Sequence, residues 1–263
     1  MEPPLPKITV ATVTYNAEAL IQRTIESVEA QTYRHIEHLI IDGNSQDETL
    51  ALVHHYQERN SRAAVPHEII CRSEPDRGLY DAMNKALQLA TGRYIVFLNA
   101  GDCFHDTEVV ARIAAAAAPQ AGKWPAVVYG RTNLVDADGR FVRERRLTPP
   151  ERLTWRDFRS GMLVCHQAFF AAVDLAKETP YDMSFRFSAD FDWCIRIMQA
   201  GERQGRPVVN GGLVVCDYLA EGMTTRHRRA SLFERFRIMS RHYGLFPTLG
   251  RHLWFVVRLF TKR

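Results

Sequence analysis

Glycine-rich phosphate cradles are missing from this sequence. The turn after the first apolar run reads Thr14-Tyr15-Asn16, and neither G-x-G-x-x-G at that turn nor G-x-x-x-x-G-K-[ST] anywhere is present. A hydride-transferring dinucleotide enzyme and a P-loop NTPase are thereby disfavoured, since both bring backbone N–H groups on glycine against phosphate. Cysteine is sparse and unpaired. The five residues (Cys71, Cys103, Cys165, Cys194, Cys216) contain no CxxC spacing, which argues against a disulfide framework or structural zinc and suits a reducing compartment. No apolar run approaches about 18 residues, so a spanning helix is not expected. MEPPLPKITV has no apolar stretch ahead of its prolines to act as a secretory signal.

What is present suits one large domain with an appendage. The 263 residues are 46% hydrophobic and 24% charged, ordinary values for a globular core. Charge is unevenly spread. Residues 226–263 hold ten Arg/Lys against the single acid Glu234, leaving 24 Arg/Lys against 29 Asp/Glu in the first 225. Such a split predicts a tail that meets something anionic. Aromatic-interleaved platforms and recognition motifs for nucleic acid are missing, so nucleic acid is not the expected partner.

Apolar periodicity gives strands at Lys7–Val13, Ile36–Ile41, His67–Cys71 and Tyr94–Leu98. Between them, Leu20 to Val28, a segment opened by the capping-box pair Ser45/Glu48, and the stripe Met83-Ala86-Leu87-Ala90 read as helices. Asp106 is placed to cap an alanine-rich helix ending before Pro119. The second half is less regular: a strand at Val127–Tyr129, a hairpin turning at Asp138-Gly139, a helix over about 190–200 capped by Ser188, and a strand at Val208–Val215. Four strand–helix alternations predict an α/β fold with a mostly parallel central sheet and helices on both faces. Right-handed crossovers put the strand C-termini on one edge, where open α/β sheets bind ligands. The loops carrying Thr14-Tyr15-Asn16, Asp42-Gly43-Asn44, Glu74 to Gly78 and Asn99 to Asp102 all fall there. A carboxylate after the fourth strand can hold a hard divalent cation whose other ligands are phosphates and water.

TVTYN (12–16), IIDGNSQDET (40–49), EPDRGLYDAMNKALQLATGRYIVFLNAGD (74–102), CHQAFF (165–170) and SADFDWCIRI (188–197) resemble family 2 glycosyltransferases with the GT-A fold, most nearly the bacterial polysaccharide-building branch. The resemblance covers about residues 5–225. It implies a GT-A domain over 1–225 (nucleotide-binding half about 5–130, acceptor half about 131–225) and a basic amphipathic extension over 226–263. It also implies an inverting transferase dependent on Mg²⁺ or Mn²⁺, using a nucleotide-sugar donor of the UDP class and a saccharide or lipid-linked acceptor. The expected location is cytoplasmic, at the inner face of a membrane.

By position in those motifs, Thr14, Tyr15, Asp42, Asp76, Arg77, Asn84 and Lys85 are expected at the nucleotide and Asp102 at the metal. Asp190 is expected as the base that takes the acceptor hydroxyl's proton. His166, Gln167 and Asp192 are expected on the acceptor side, with Asp192 turned roughly 200° from Asp190 on one helix. Two departures stand out: position 43 is glycine where many relatives carry a second acid, and Asn99-Ala100-Gly101-Asp102 offers one carboxylate where relatives often have two or three. A catalytically weak or inactive nucleotide-sugar-binding protein and a nucleotidyltransferase are the competing readings. In the extension, Leu232, Phe233, Phe236 and Met239 form a stripe suited to docking on the domain. Trp254, Phe255 and Phe260 with basic flanks suit an anionic membrane surface.

Overall fold

The computed structural model describes residues 5–219 and 228–251. Strands β1 (Ile8–Thr14), β2 (Ile36–Asp42), β3 (Glu68–Ser73) and β4 (Tyr94–Phe97) alternate with helices α1 (Ile21–Glu29), α2 (Thr49–Asn60) and α3 (Leu79–Leu89). They pair in parallel in the order β3-β2-β1-β4. Every residue of β1 and β2 is buried, the signature of parallel strands covered on both faces.

Beyond β4 the same sheet becomes mixed. Its strands are β5 (Cys103–Phe104), β6 (Val127–Val135), β7 (Phe141–Glu144), β8 (Phe169–Ala172) and β9 (Val208–Leu219). β8 lies antiparallel between β4 and β6, β9 runs parallel to β6, and β5 closes the path against β9. Thus the parallel arrangement read from the sequence describes the first half, and antiparallel pairs join the second half to it. The expected hairpin is β6–β7, with Gly139 at φ +80°. Helices α4 (Val109–Ala116), α5 (Val173–Glu178), α6 (Ala189–Arg203) and α7 (Arg228–Tyr243) follow, with short 3-10 turns at Trp155–Ser160 and His166–Ala168 and further helix over 245–251.

Two local signals were overridden by distant partners. The Ser45/Glu48 box does not form: α2 starts at Thr49 without a side-chain cap, because the Ser45 hydroxyl is spent on Asp42. Ser188 sits at the N-cap of α6 but makes no capping bond, its hydroxyl pointing to Ser231 instead. The docking stripe on α7 differs in part. Met239 is buried as expected and Ile238 joins it, whereas Leu232 and Phe233 are 47% and 66% exposed. Residues 252–263, including Trp254, Phe255 and Phe260, lie outside the described residues.

Candidate active site

The turns after β1 and β2 are laced together. Asn16, in the left-handed region at φ +46°, receives the Gln46 N–H on its side chain, while its own N–H donates to Ser45 Oγ. Ala17 N–H donates to Thr49 Oγ1. This fixed floor leaves Tyr15 64% exposed, at a cleft of about 680 Å³ lined with Gly43, Asn44, Gln46, Pro75, Asp76 and Gly78. An exposed aromatic face beside a polar cleft suits stacking on a planar ring.

Asp42 is not at that surface. It is fully buried, and its carboxylate accepts from Ser45 N (2.9 Å), Ser45 Oγ (2.5 Å) and Ser73 Oγ (2.6 Å). Its acceptor capacity therefore goes into fixing the ends of β2 and β3. The carboxylate lining the cleft is Asp76, which accepts the Gly78 N–H. Thr14 is buried at the end of β1, its hydroxyl without a protein partner.

The rest of the expected nucleotide set divides. Arg77, with its side chain 79% exposed, pairs with Asp81 one turn on. Lys85 donates to Pro75 O (2.7 Å) and faces Glu74 (3.2 Å), bracing the loop that carries Asp76. Asn84 exchanges two hydrogen bonds with the backbone of Tyr181, donating to its O and accepting from its N. Its amide is thus a structural tie between α3 and the segment leading to α6.

A second cluster joins the metal-type loop to the α6 carboxylate. Asp102 is 6% exposed, and its Oδ2 accepts from Gln167 Nε2 at 3.0 Å. The neighbouring His166 places Nε2 3.1 Å from Asn99 Nδ2 and Nδ1 3.3 Å from Asp190 Oδ2. Tyr80, in the first turn of α3, donates its hydroxyl to Asp190 Oδ1 at 3.1 Å. The pair 166–167 therefore bridges Asp102 and Asp190, giving these two residues a shared mount. Tyr80 and Asn99 had no signal of their own in the sequence beyond membership of the 74–102 block.

The Asp102 loop is held from α1. Thr24 Oγ1 donates to Asp102 O (2.8 Å) and accepts the Gly101 N–H (2.9 Å). Gly101 at φ +100° is where the chain turns, and a side chain there would meet Leu219 of β9.

Electrostatics separate the two carboxyls. Burial pushes Asp102 up to about 6, with the Gln167 hydrogen bond opposing. Burial also acts to raise Asp190, but the hydrogen bond and charge of His166, with Arg235 beyond, hold it below the ordinary carboxylate range. Asp190 is accordingly an ionised acceptor at neutral pH, as a base requires. Asp192 faces the other way and is fully buried, bound by Arg196 Nε (2.5 Å) and His242 Nε2 (2.7 Å). Its carboxylate is committed to joining α6 and α7.

Among the described residues, no group of three or more His, Cys, Asp or Glu side chains is placed to hold a metal ion. What remains fits a cation bound largely by its substrate: one buried carboxylate with a raised pKa, and on the same loop an Asn99 Oδ1 that is buried without a partner.

Residues 9–175 match the sequence profile of glycosyl transferase family 2. An uncharacterized glycosyltransferase of Mycobacterium tuberculosis is 32% identical over 254 residues, covering 94% of this chain and 88% of its own. Among solved structures, Staphylococcus aureus TarS in complex with UDP-GlcNAc superposes with a TM-score of 0.67 at 16% identity, over 95% of this chain and 73% of that one. A mannosyltransferase from Pyrobaculum calidifontis with GDP-Man and Mn²⁺ gives 0.65 at 20% identity, over 94% and 69%. The fold is thus that of GT-A glycosyltransferases. The chain belongs to glycosyl transferase family 2 and is a glycosyl-transferring enzyme.

Proposed function

We propose that the protein is an inverting, metal-dependent transferase that moves a sugar from a nucleoside diphosphate sugar, of the UDP class, to a hydroxyl of a saccharide or lipid-linked acceptor in polysaccharide synthesis. The observation that carries this reading is the bridge of His166 and Gln167 between Asp102 and Asp190. It gives the leaving-group carboxylate and the base a common frame. Tyr15 stacks on the nucleobase, and Asp76 accepts from base or ribose. Asp190 takes the acceptor hydroxyl's proton while that oxygen attacks the anomeric carbon from the face opposite the departing diphosphate. His166 and Tyr80 hold the Asp190 carboxylate in place, and Gln167 orients Asp102. Asp102, with Asn99 on the same loop, would hold a divalent cation, which when bound would neutralise charge on the diphosphate. UDP-GlcNAc and GDP-Man with Mn²⁺ in the two structural neighbours support a nucleotide-sugar donor and a metal for this chain.

The single metal carboxylate favours a second reading, a weakly active donor-binding protein; release of sugar from the donor above background separates the two. The primary test is a thermal-shift series with UDP and Mn²⁺. UDP is expected to raise the melting temperature only with the cation, because one protein carboxylate leaves most coordination to phosphate. Equal stabilisation in excess chelator removes the metal from the mechanism.

The chain's C-terminal part adds a location to this reading. No helix among the described residues is long and apolar enough to cross a membrane. After α7, Leu245, Phe246 and Leu249 are 51%, 84% and 47% exposed. Apolar residues in a basic segment suit contact with an anionic membrane surface at the cytoplasmic face, where a lipid-linked acceptor would be presented.

A further inference from the structure

Helix α7 reaches the start of α6 through several groups at once. Glu234 is the only acid on α7. Its two carboxylate oxygens accept the backbone N–H groups of Arg186 and Phe187, each at 2.8 Å. Ser188, the next residue, is fully buried, with its hydroxyl 2.9 Å from Ser231 Oγ and 3.3 Å from Ser231 O. The Arg235 guanidinium lies over the Phe191 ring at 5.7 Å, and His242 holds Asp192.

These contacts surround Asp190, the second residue of α6. A helix start is normally fixed by a side chain capping its own first-turn N–H groups. Here Ser188 makes no such bond, and the three residues before Ala189 are tied to α7 instead. The side-chain bonds of Asp190 are long, 3.1 Å to Tyr80 and 3.3 Å to His166. They tune the carboxylate but do not by themselves fix the backbone that carries it. A base displaced by about 1 Å costs on the order of 10²-fold in rate.

We infer that Glu234 is a positioning residue for Asp190: its carboxylate anchors the backbone leading into α6 and so sets where the base stands. The inference rests on the assignment of Asp190 as the base. Glu234 makes no side-chain bond to Asp190; it acts through the backbone of Arg186 and Phe187, and its charge also reaches Tyr80, which donates to Asp190.

The test uses the full chain with Mn²⁺ and a panel of UDP-, GDP- and dTDP-sugars, read as nucleoside diphosphate released. Glu234→Ala is expected to lower kcat about 10- to 100-fold while the KM for the donor stays within about twofold, since the nucleotide cleft is built from other loops. Glu234→Gln keeps one acceptor oxygen and the side-chain volume, so it should fold and recover part of the loss. Amide hydrogen exchange should quicken over residues 186–192 in Glu234→Ala and remain unchanged in β1–β4. In an Asp190→Asn background, Glu234→Ala should cause no further loss, because residues acting as one unit are not additive. Unchanged kcat in both Glu234 variants overturns the inference, as does an equal further loss in the Asp190→Asn background. A wild-type rate for Asp190→Asn alone is a different failure: it removes the base assignment itself.

Discussion

Gly43 lies directly beneath the Asp76 carboxylate: a Cβ added at residue 43 would sit 2.7 Å from Asp76 Oδ2 and 3.3 Å from the Tyr15 ring. The glycine thus makes room for Asp76, the carboxylate among the described residues that line the cleft beside Tyr15. Gly43→Ala should push the end of the Asp76 side chain aside without disturbing β2. Titration calorimetry with UDP and Mn²⁺ is expected to show affinity reduced roughly tenfold, the scale of one charge-assisted hydrogen bond, with little change in melting temperature. Unaltered affinity would mean that Asp76 does not touch the nucleotide.

Asp102 gives a stability prediction with a definite sign. Its folded-state pKa of about 6 lies above the ordinary 3.8, so the folded protein holds this proton more tightly than the unfolded chain. That contribution is complete below pH 3.8 and is lost as pH rises through 6. Above pH 7 the ionised, metal-free carboxyl therefore costs roughly 3 kcal/mol. Asp102→Asn should melt higher than wild type at pH 8 without metal, and about equally at pH 4. With UDP and Mn²⁺ at pH 8 only the wild type should gain further stability. A difference that is the same at both pH values contradicts the assignment of the shift to this group.

For the base, Asp190→Asn is expected to lower transfer at least about 100-fold, within the range general bases contribute. Donor affinity should stay near that of the wild type. The amide preserves the start of α6 and the contact with Tyr80 but cannot take the proton. Near-normal turnover would disqualify Asp190.

Deleting residues 245–263 should leave α7 docked and metal-dependent UDP binding intact. It removes four basic residues, Arg251, Arg258, Lys262 and Arg263, each worth about 1 kcal/mol near an anionic leaflet. Sedimentation with phosphatidylserine-containing vesicles should fall sharply, and high salt should weaken it in the full-length protein. Full-length protein that ignores such vesicles at low salt excludes the membrane surface as partner.

The parallel half of the fold was legible because its strands are short apolar runs bounded by polar turns, and crossover handedness then places those turns on one edge. The placement of the candidate loops on one edge followed from that geometry. The side-chain partnerships did not. Gln167 meets Asp102 from 65 residues away, and nothing in either local segment encodes the meeting. Ser45 and Ser188 carry good capping signals, yet each hydroxyl goes to a tertiary partner, Asp42 and Ser231. Asn84 and Asp42 were read as ligand contacts from motif position, whereas burial and hydrogen bonding commit them to the Tyr181 backbone and to the serines. Docking of α7 was expected, and Met239 of the expected stripe is buried, but its buried partner is Ile238, while Leu232 and Phe233 of that stripe are exposed.

The dependence of α6 on α7 also bears on the order in which the protein becomes active during synthesis. The chain emerges N-terminus first as it is made, and the nine strands among the described residues are complete by Leu219. A nascent chain ending there already contains every residue of the Tyr15–Asp76 cleft and of the Asp102 loop. It still lacks Ser231 and Glu234, which steady the backbone before Asp190. On the proposed roles of Asp190 and Glu234, such a chain would turn over more slowly than the full chain, by the about 10- to 100-fold expected of Glu234→Ala or more, until the C-terminal helix has emerged and docked.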